Sequence, residues 1–134
     1  MGHALRVIGI LTGVTLLLVG LGGALGSMAR YMFSTLISRL VPSLFPFGTF
    51  AVNVVGCVLF GIIVGLAEQR SVFRPEARAF LLIGVLGGFT TFSTFAFESF
   101  QLLRDGQFMS AAVNVVGQVI AGVVGLWAGF VFSR

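Results

Sequence analysis

Apolar residues in this chain come in four long runs with almost no charge: Val7–Ala29, Leu40–Ala67, Ala79–Phe97 and Gly106–Ser133. Each is near or above the ~20 residues that carry a helix across a ~30 Å hydrocarbon core. Lipid offers no hydrogen bonds, so a spanning segment must satisfy its backbone internally, and runs of this length read as helices rather than barrel strands of ~10 residues. The pattern predicts spans at about 14–39, 48–69, 77–104 and 107–133. Val41–Pro46 closes the first turn and Glu68–Arg78 the second, with Pro75 near the start of the third helix. Asp105-Gly106 closes the third turn. The first run continues without a break through Gly22–Gly26 to Ser38, which reads as a true first span and not a cleaved leader. Residues 1–12 are expected to be an amphipathic or partly ordered lead-in. The expected fold is therefore a single all-α, four-span membrane domain over residues 1–134.

Composition agrees with the pattern. Of 134 residues, 57% are hydrophobic and 9% charged, against about a quarter charged in soluble domains. The mean hydropathy is +1.11. The net charge of +4 comes entirely from arginine on the basic side. Those arginines are scattered near span ends and form no basic stripe, which argues against nucleic-acid binding. Four spans put both termini on one side, together with Arg6, Arg70, Arg74, Arg78 and Arg134; Arg39 and Arg104 lie on the other, with Arg30 deeper in the first helix. That bias favours a cytoplasmic location for the termini. Cys57 is the sole cysteine and reads as a small packing residue.

Glycines recur at four-residue spacing, as Gly22/Gly26, Gly61/Gly65 and Gly125/Gly129. Such spacing lets helices approach closely, either within the chain or against a partner subunit. Ala51–Gly56 and Ala112–Gly117 share the string A-V-N-V-V-G, which puts Asn53 and Asn114 at similar points of two parallel spans.

Polar groups inside a membrane are costly and mark function by default. Here they are Arg30, Asn53, the hydroxyls of residues 90–94, Glu98, Asn114 and Gln118. They form no nucleophile–base pair, metal cluster or phosphate loop, so an enzyme is not expected. The stretch G-V-L-G-G-F-T-T-F-S-T-F-A-F-E at 84–98 stands out. Gly87-Gly88 and the β-branched threonines predict a helix broken in mid-membrane. A break survives in lipid only where protein, water or an ion covers the freed carbonyls. Carbonyls suit a cation, whereas hydroxyls and amides offer donors to an anion. Phe89, Phe92 and Phe95 recur at i+3 and are expected to share one face, presenting positively polarised ring edges. Arg30 reads either as a snorkelling side chain or as a cationic vestibule group. Glu98 reads as a pore-adjacent acceptor or a packing partner near the interface.

Three motifs together resemble the CrcB/Fluc fluoride channels: G-G-F-T-T-F-S-T-F-A-F-E at Gly87–Glu98, G-T-F-A-V-N-V-V-G at Gly48–Gly56, and G-x-x-x-R at Gly26–Arg30. The resemblance spans about residues 16–133. It implies a dual-topology homodimer of antiparallel four-helix subunits in the cell inner membrane, with two fluoride pathways along the interface. Phe92 and Phe95 would be pore phenylalanines and Asn53 the pore amide, with Thr49 near it. Ser93 and Thr94 would supply hydroxyls, and Glu98 would belong to a polar track. Asn114 and Gln118 would be wall residues of that track. Arg30 would be the vestibule arginine, and the Gly87 and Thr90 carbonyls of both subunits would hold a structural sodium ion. The residues alone leave two alternatives open, a small antiparallel drug/proton exchanger and a non-conducting subunit of a membrane complex. The exchanger needs a carboxylate deep in the first span, where this chain has Arg30.

Overall fold

The computed structural model describes residues 2–70 and 73–134, with side chains described over 13–68 and 73–134. Helix α1 covers Gly2–Leu40 and α2 covers Phe47–Arg70. The third span starts as α3 (Pro75–Arg78), continues as a π-helical segment (Ala79–Leu86) and one further turn (Gly87–Phe89), then breaks. It resumes as α4 (Phe92–Arg104), and α5 (Phe108–Phe132) completes the chain. Four stretches are long and apolar enough to cross a membrane: Gly13–Leu40, Phe47–Glu68, Pro75–Arg104 and Phe108–Phe132. They match the four spans expected from the apolar runs. At its N-terminus α1 extends further than the expected first span, beginning at Gly2.

Local chemistry sets the helix ends. Pro75 begins α3 at a position where its missing N–H is no loss. Helix α4 ends on Gly106, whose φ of 73° needs no Cβ. There the Gln107 N–H reaches the Leu102 carbonyl at 2.8 Å and the Gly106 N–H reaches Leu103 at 3.1 Å, closing the last turn. Past the C-terminal end of α5, Arg134 pairs with Glu68 at 3.0 Å and lies over the Phe130 ring, tying the chain end to α2.

The helices pair in parallel, α1 with the first half of the third span and α2 with α5. The glycine spacing makes both contacts. A Cβ on Gly22 would meet the Phe80 carbonyl, and one on Gly26 would fall on the Val85 carbonyl and the Phe89 amide. Gly61 lies on the Leu126 carbonyl, Gly65 on Phe130 and Ser133, and Gly129 on the Val58 carbonyl. Of the two uses open to these glycines, the structure shows close packing within the chain. The buried apolar core is thin (Val52, Leu86, Phe89, Leu102 and Ala111 are its larger members), while most apolar side chains face outward, as lipid permits.

Two expectations about the third span are corrected. Gly87 keeps right-handed helical angles, φ −62° and ψ −37°, so the glycine pair does not form the break. Gly88 instead packs on the backbone of Gly23 in α1. The break lies at Thr90 and Thr91, both extended. It also separates the phenylalanines. Phe89 is buried against Phe33, ring centroids 6.1 Å apart, and does not share a face with Phe92 and Phe95.

The close approaches predict a clear contrast. Gly129→Ala places a methyl on the Val58 carbonyl, and overpacking of this kind costs about 1–3 kcal/mol. Its midpoint of thermal unfolding in detergent should fall by several degrees. Gly20→Ala, with open space around the new Cβ, should leave the midpoint unchanged or raise it.

Candidate functional site

The site is built around the break. Thr90 takes φ −81°, ψ 159° and Thr91 takes φ −150°, ψ 118°. In an unbroken helix the Thr91 N–H would go to the Gly87 carbonyl. Here it goes to Asn53 Oδ1 of α2 at 2.8 Å, and Asn53 Nδ2 donates to the Thr91 carbonyl at 3.1 Å. One side-chain amide therefore satisfies both backbone groups of the extended residue. Helix α4 restarts with Thr91 as its N-cap, the hydroxyl oxygen accepting the Thr94 N–H at 3.2 Å. The Thr91 hydroxyl donates to Thr94 Oγ1 at 3.0 Å and lies 3.4 Å from Ser93 Oγ. Thr90 Oγ1 folds back onto the Leu86 carbonyl at 2.9 Å.

The network continues through α5. Asn53 Nδ2 also donates to Gln118 Oε1 at 2.7 Å. Gln118 Nε2 donates to Asn114 Oδ1 at 2.8 Å, and Asn114 Nδ2 donates to Ser99 Oγ at 2.9 Å. The Ser99 hydroxyl donates to the Phe95 carbonyl at 2.7 Å. Asn114 is fully buried, and Gln118 and Ser99 nearly so. The two A-V-N-V-V-G repeats thus contribute their amides to one chain of hydrogen bonds.

Beside the break lies an open groove of about 350 Å³. Asn53, Thr91, Phe92, Phe95 and Gln118 line it, with Cys57 and Leu126 among the apolar residues. Phe92 is 80% exposed, and its ring centroid is 5.5 Å from that of Phe95. Among the described residues, no ionisable side chain other than the Cys57 thiol lines this groove. A second cleft of about 370 Å³ is lined by the ionisable Glu98 and Arg39 alongside Thr49, Thr94 and Ser38. The Thr49 hydroxyl donates to Glu98 Oε1 at 2.7 Å. Glu98 Oε2 is buried and has no hydrogen-bond partner among the described residues.

The expected site residues therefore fall into two groups on either side of α4's first turns. Asn53, Phe92, Phe95 and Gln118 line the groove; Thr49, Thr94 and Glu98 line the cleft. Ser93 is exposed beside the N-cap hydroxyl. Asn114 sits behind the groove as a relay and not on its wall. Thr90 is the first extended residue of the break and lines the groove, and Gly87 lies in the helical turn before it. Arg30, half-buried on α1, lines neither cavity; Arg39 is the arginine at the cleft. Sequence reasoning did not single out Ser99, Ser38 or Arg39, and it grouped Thr91 with the other 90–94 hydroxyls without giving it a role of its own. For Thr91 a signal existed, since a threonine just before a helical run is a standard N-cap. Ser99 carried none, because its role depends on where α5 places Asn114.

Chemically, the arrangement is a mostly apolar groove whose polar groups are amides and hydroxyls already organised by one another.

Comparison with known proteins gives one consistent answer. The family described as CrcB-like protein, Camphor Resistance (CrcB), matches residues 17–130. A fluoride-specific ion channel FluC of Nitratidesulfovibrio vulgaris (strain DSM 19637 / Miyazaki F) is 48% identical over 119 residues, covering 89% of this chain and 96% of the relative. The protein of the same name from Geobacter sulfurreducens is 46% identical over 120 residues, covering 90% and 97%. That of Nitrosococcus oceani is 46% identical over 116 residues, covering 87% and 93%.

The capping amide can be tested directly. Asn53→Leu leaves the Thr91 N–H and C=O without their partner, at about 1–3 kcal/mol for each buried group. The expected result is a lower thermal midpoint and faster hydrogen exchange at the Thr91 amide than in the wild type. An unchanged Thr91 exchange rate would show that Asn53 does not hold the break.

Proposed function

The chain belongs to the CrcB family, and from that premise we propose that it is a fluoride-selective channel working as an antiparallel homodimer. The observation that carries this reading is the neutral groove where the Phe92 and Phe95 rings stand beside a capped helix break. Fluoride entering a membrane must exchange its hydration shell for protein groups. Phenyl edges carry partial positive charge, and hydroxyls and amides donate hydrogen bonds; neither binds with the strength of a fixed cation. Binding is then weak enough for release, which conduction requires. Fluoride that accumulates in the cytoplasm leaves passively down its electrochemical gradient across the inner membrane, relieving toxicity.

Dimerisation is supported by what one chain leaves open. Phe92, Ser93 and Thr94 are exposed on an apolar helix at membrane depth, where bare hydroxyls are unfavourable against lipid. A second copy would cover them and wall the groove, and a two-fold axis lets the same surface serve both subunits. Two such axis-related grooves give two pores. Antiparallel insertion follows the family resemblance. Sodium fits the break on one observation: the Thr91 N–H is diverted to Asn53, so the Gly87 carbonyl loses that helical donor. The Gly87 and Thr90 carbonyls of both subunits would hold the ion on the axis, where its charge ties the two breaks together. On the single chain, Arg30 and Glu98 lie outside the Phe92 groove. Arg30 then acts as a vestibule cation and the Thr49–Glu98 cleft as a polar approach. The exchanger alternative is disfavoured because residues 13–40 contain Arg30 and Arg39 but no carboxylate.

The test is ion efflux from liposomes carrying the purified protein. Wild type should release fluoride much faster than chloride. Phe92→Ile and Asn53→Asp should each slow fluoride release well below wild type at equal incorporation. Normal release by both variants would remove the groove as the ion pathway.

A further inference from the structure

Asn53 has two amide hydrogens, and both are engaged inside the protein. The direction of each bond is fixed from the ends of the network. A backbone N–H can only donate, so Oδ1 of Asn53 must face the Thr91 N–H, and Nδ2 must face the Thr91 carbonyl and Gln118 Oε1. At the far end the Phe95 carbonyl can only accept, so Ser99 donates to it and receives from Asn114, which in turn receives from Gln118. Gln118 is therefore locked as an acceptor toward Asn53. Both residues line the groove that holds Phe92 and Phe95. An anion that reaches the Asn53 amide from the groove needs a hydrogen that Gln118 already holds.

We propose that Gln118, oriented by Asn114, tunes ion affinity in this site: its Oε1 competes with the anion for the second Asn53 hydrogen. The inference rests on the fluoride reading above. An anion makes the stronger, charge-assisted bond, so Gln118 yields to it, yet each binding event must break the amide–amide bond first. The effect is to weaken the hold on the ion without removing the donor. Gln118 does this as a positioning residue acting through Asn53. Asn53 itself stays oriented without Gln118, because its two bonds to Thr91 remain.

The experiment measures fluoride current through reconstituted full-length protein as a function of fluoride concentration. Gln118→Met keeps the side chain's length and removes its acceptor. The half-saturating fluoride concentration should fall about threefold to tenfold, the factor one neutral hydrogen bond is worth, with no rise in maximal current. Gln118→Met alone leaves Asn114 Oδ1 without its donor and can impair folding. The double variant Gln118→Met with Asn114→Leu removes that stranded amide oxygen and leaves only the Ser99 oxygen short of a donor, while the Ser99 hydroxyl still donates to Phe95, and it should show the same shift. Reduced maximal current with unshifted half-saturation in the double variant is what a packing role gives, and overturns the proposal alone. A wild type that carries no fluoride overturns the fluoride reading, and this inference with it.

Discussion

The structure depends on one constraint: a helix that breaks at membrane depth must have its freed backbone groups satisfied by something other than water. Asn53 meets that need with a single side chain, offering one acceptor and one donor to the N–H and C=O of Thr91. A hydroxyl would have to offer both roles from a single atom, and a carboxylate could accept but not donate. An amide matches both at once, in the manner of a neighbouring strand. The remaining features follow from that bond. It fixes α2 against the break, and α2 packs on α5 through glycines that bring the backbones into contact. That packing places Gln118 within 2.7 Å of Asn53.

The break in turn reorganises the aromatic residues. Along a continuous helix Phe89, Phe92 and Phe95 would share a face, and the stripe would be core packing. Two extended residues change the phase between the segments. Phe89 stays in the core against Phe33, and Phe92 and Phe95 turn toward the open groove. The N-cap hydroxyl of Thr91 gathers Ser93 and Thr94 on the adjoining turn. The groove-lining side chains are thus displayed by the same local geometry that the capping amide makes affordable in lipid.

Much of this was legible in the sequence, and the failures have physical reasons. The four spans came from run length, a robust signal because hydrocarbon thickness fixes it. That the third span breaks came from Gly87-Gly88 and the β-branched threonines, and attention to Asn53 and the 90–94 hydroxyls came from the cost of polar groups in lipid. The position of the break was misjudged by a few residues. Glycine lowers helix propensity in isolation, but Gly88 is needed for close approach to Gly23, and packing overrode propensity there. Thr90 and Thr91 break because Asn53 waits opposite them, which no local window can show. Asn114 and Gln118 were visible as a pair one turn apart on α5. Their roles were not, since each depends on a partner more than ten residues distant in sequence.

The relay also explains why amides are suited to this position. A five-bond chain from the Thr91 N–H to the Phe95 carbonyl runs through two Asn, one Gln and one Ser, and carries no net charge. Charged partners could tie the same elements together. In a low-dielectric interior they would need near-ideal pairing to offset the loss of hydration, and their field would dominate the groove beside them. A chain of aligned neutral dipoles polarises its members cooperatively and holds them firmly, yet its field falls off quickly. Rigidity and weak ion binding are normally in tension, because the groups that fix a site most strongly are those that bind ions most tightly. Here the ionisable Glu98 and Arg39 line a separate cleft, and the groove is left to dipoles and ring edges. On the proposed reading, that division lets one helix break be firmly held and still bind an ion lightly.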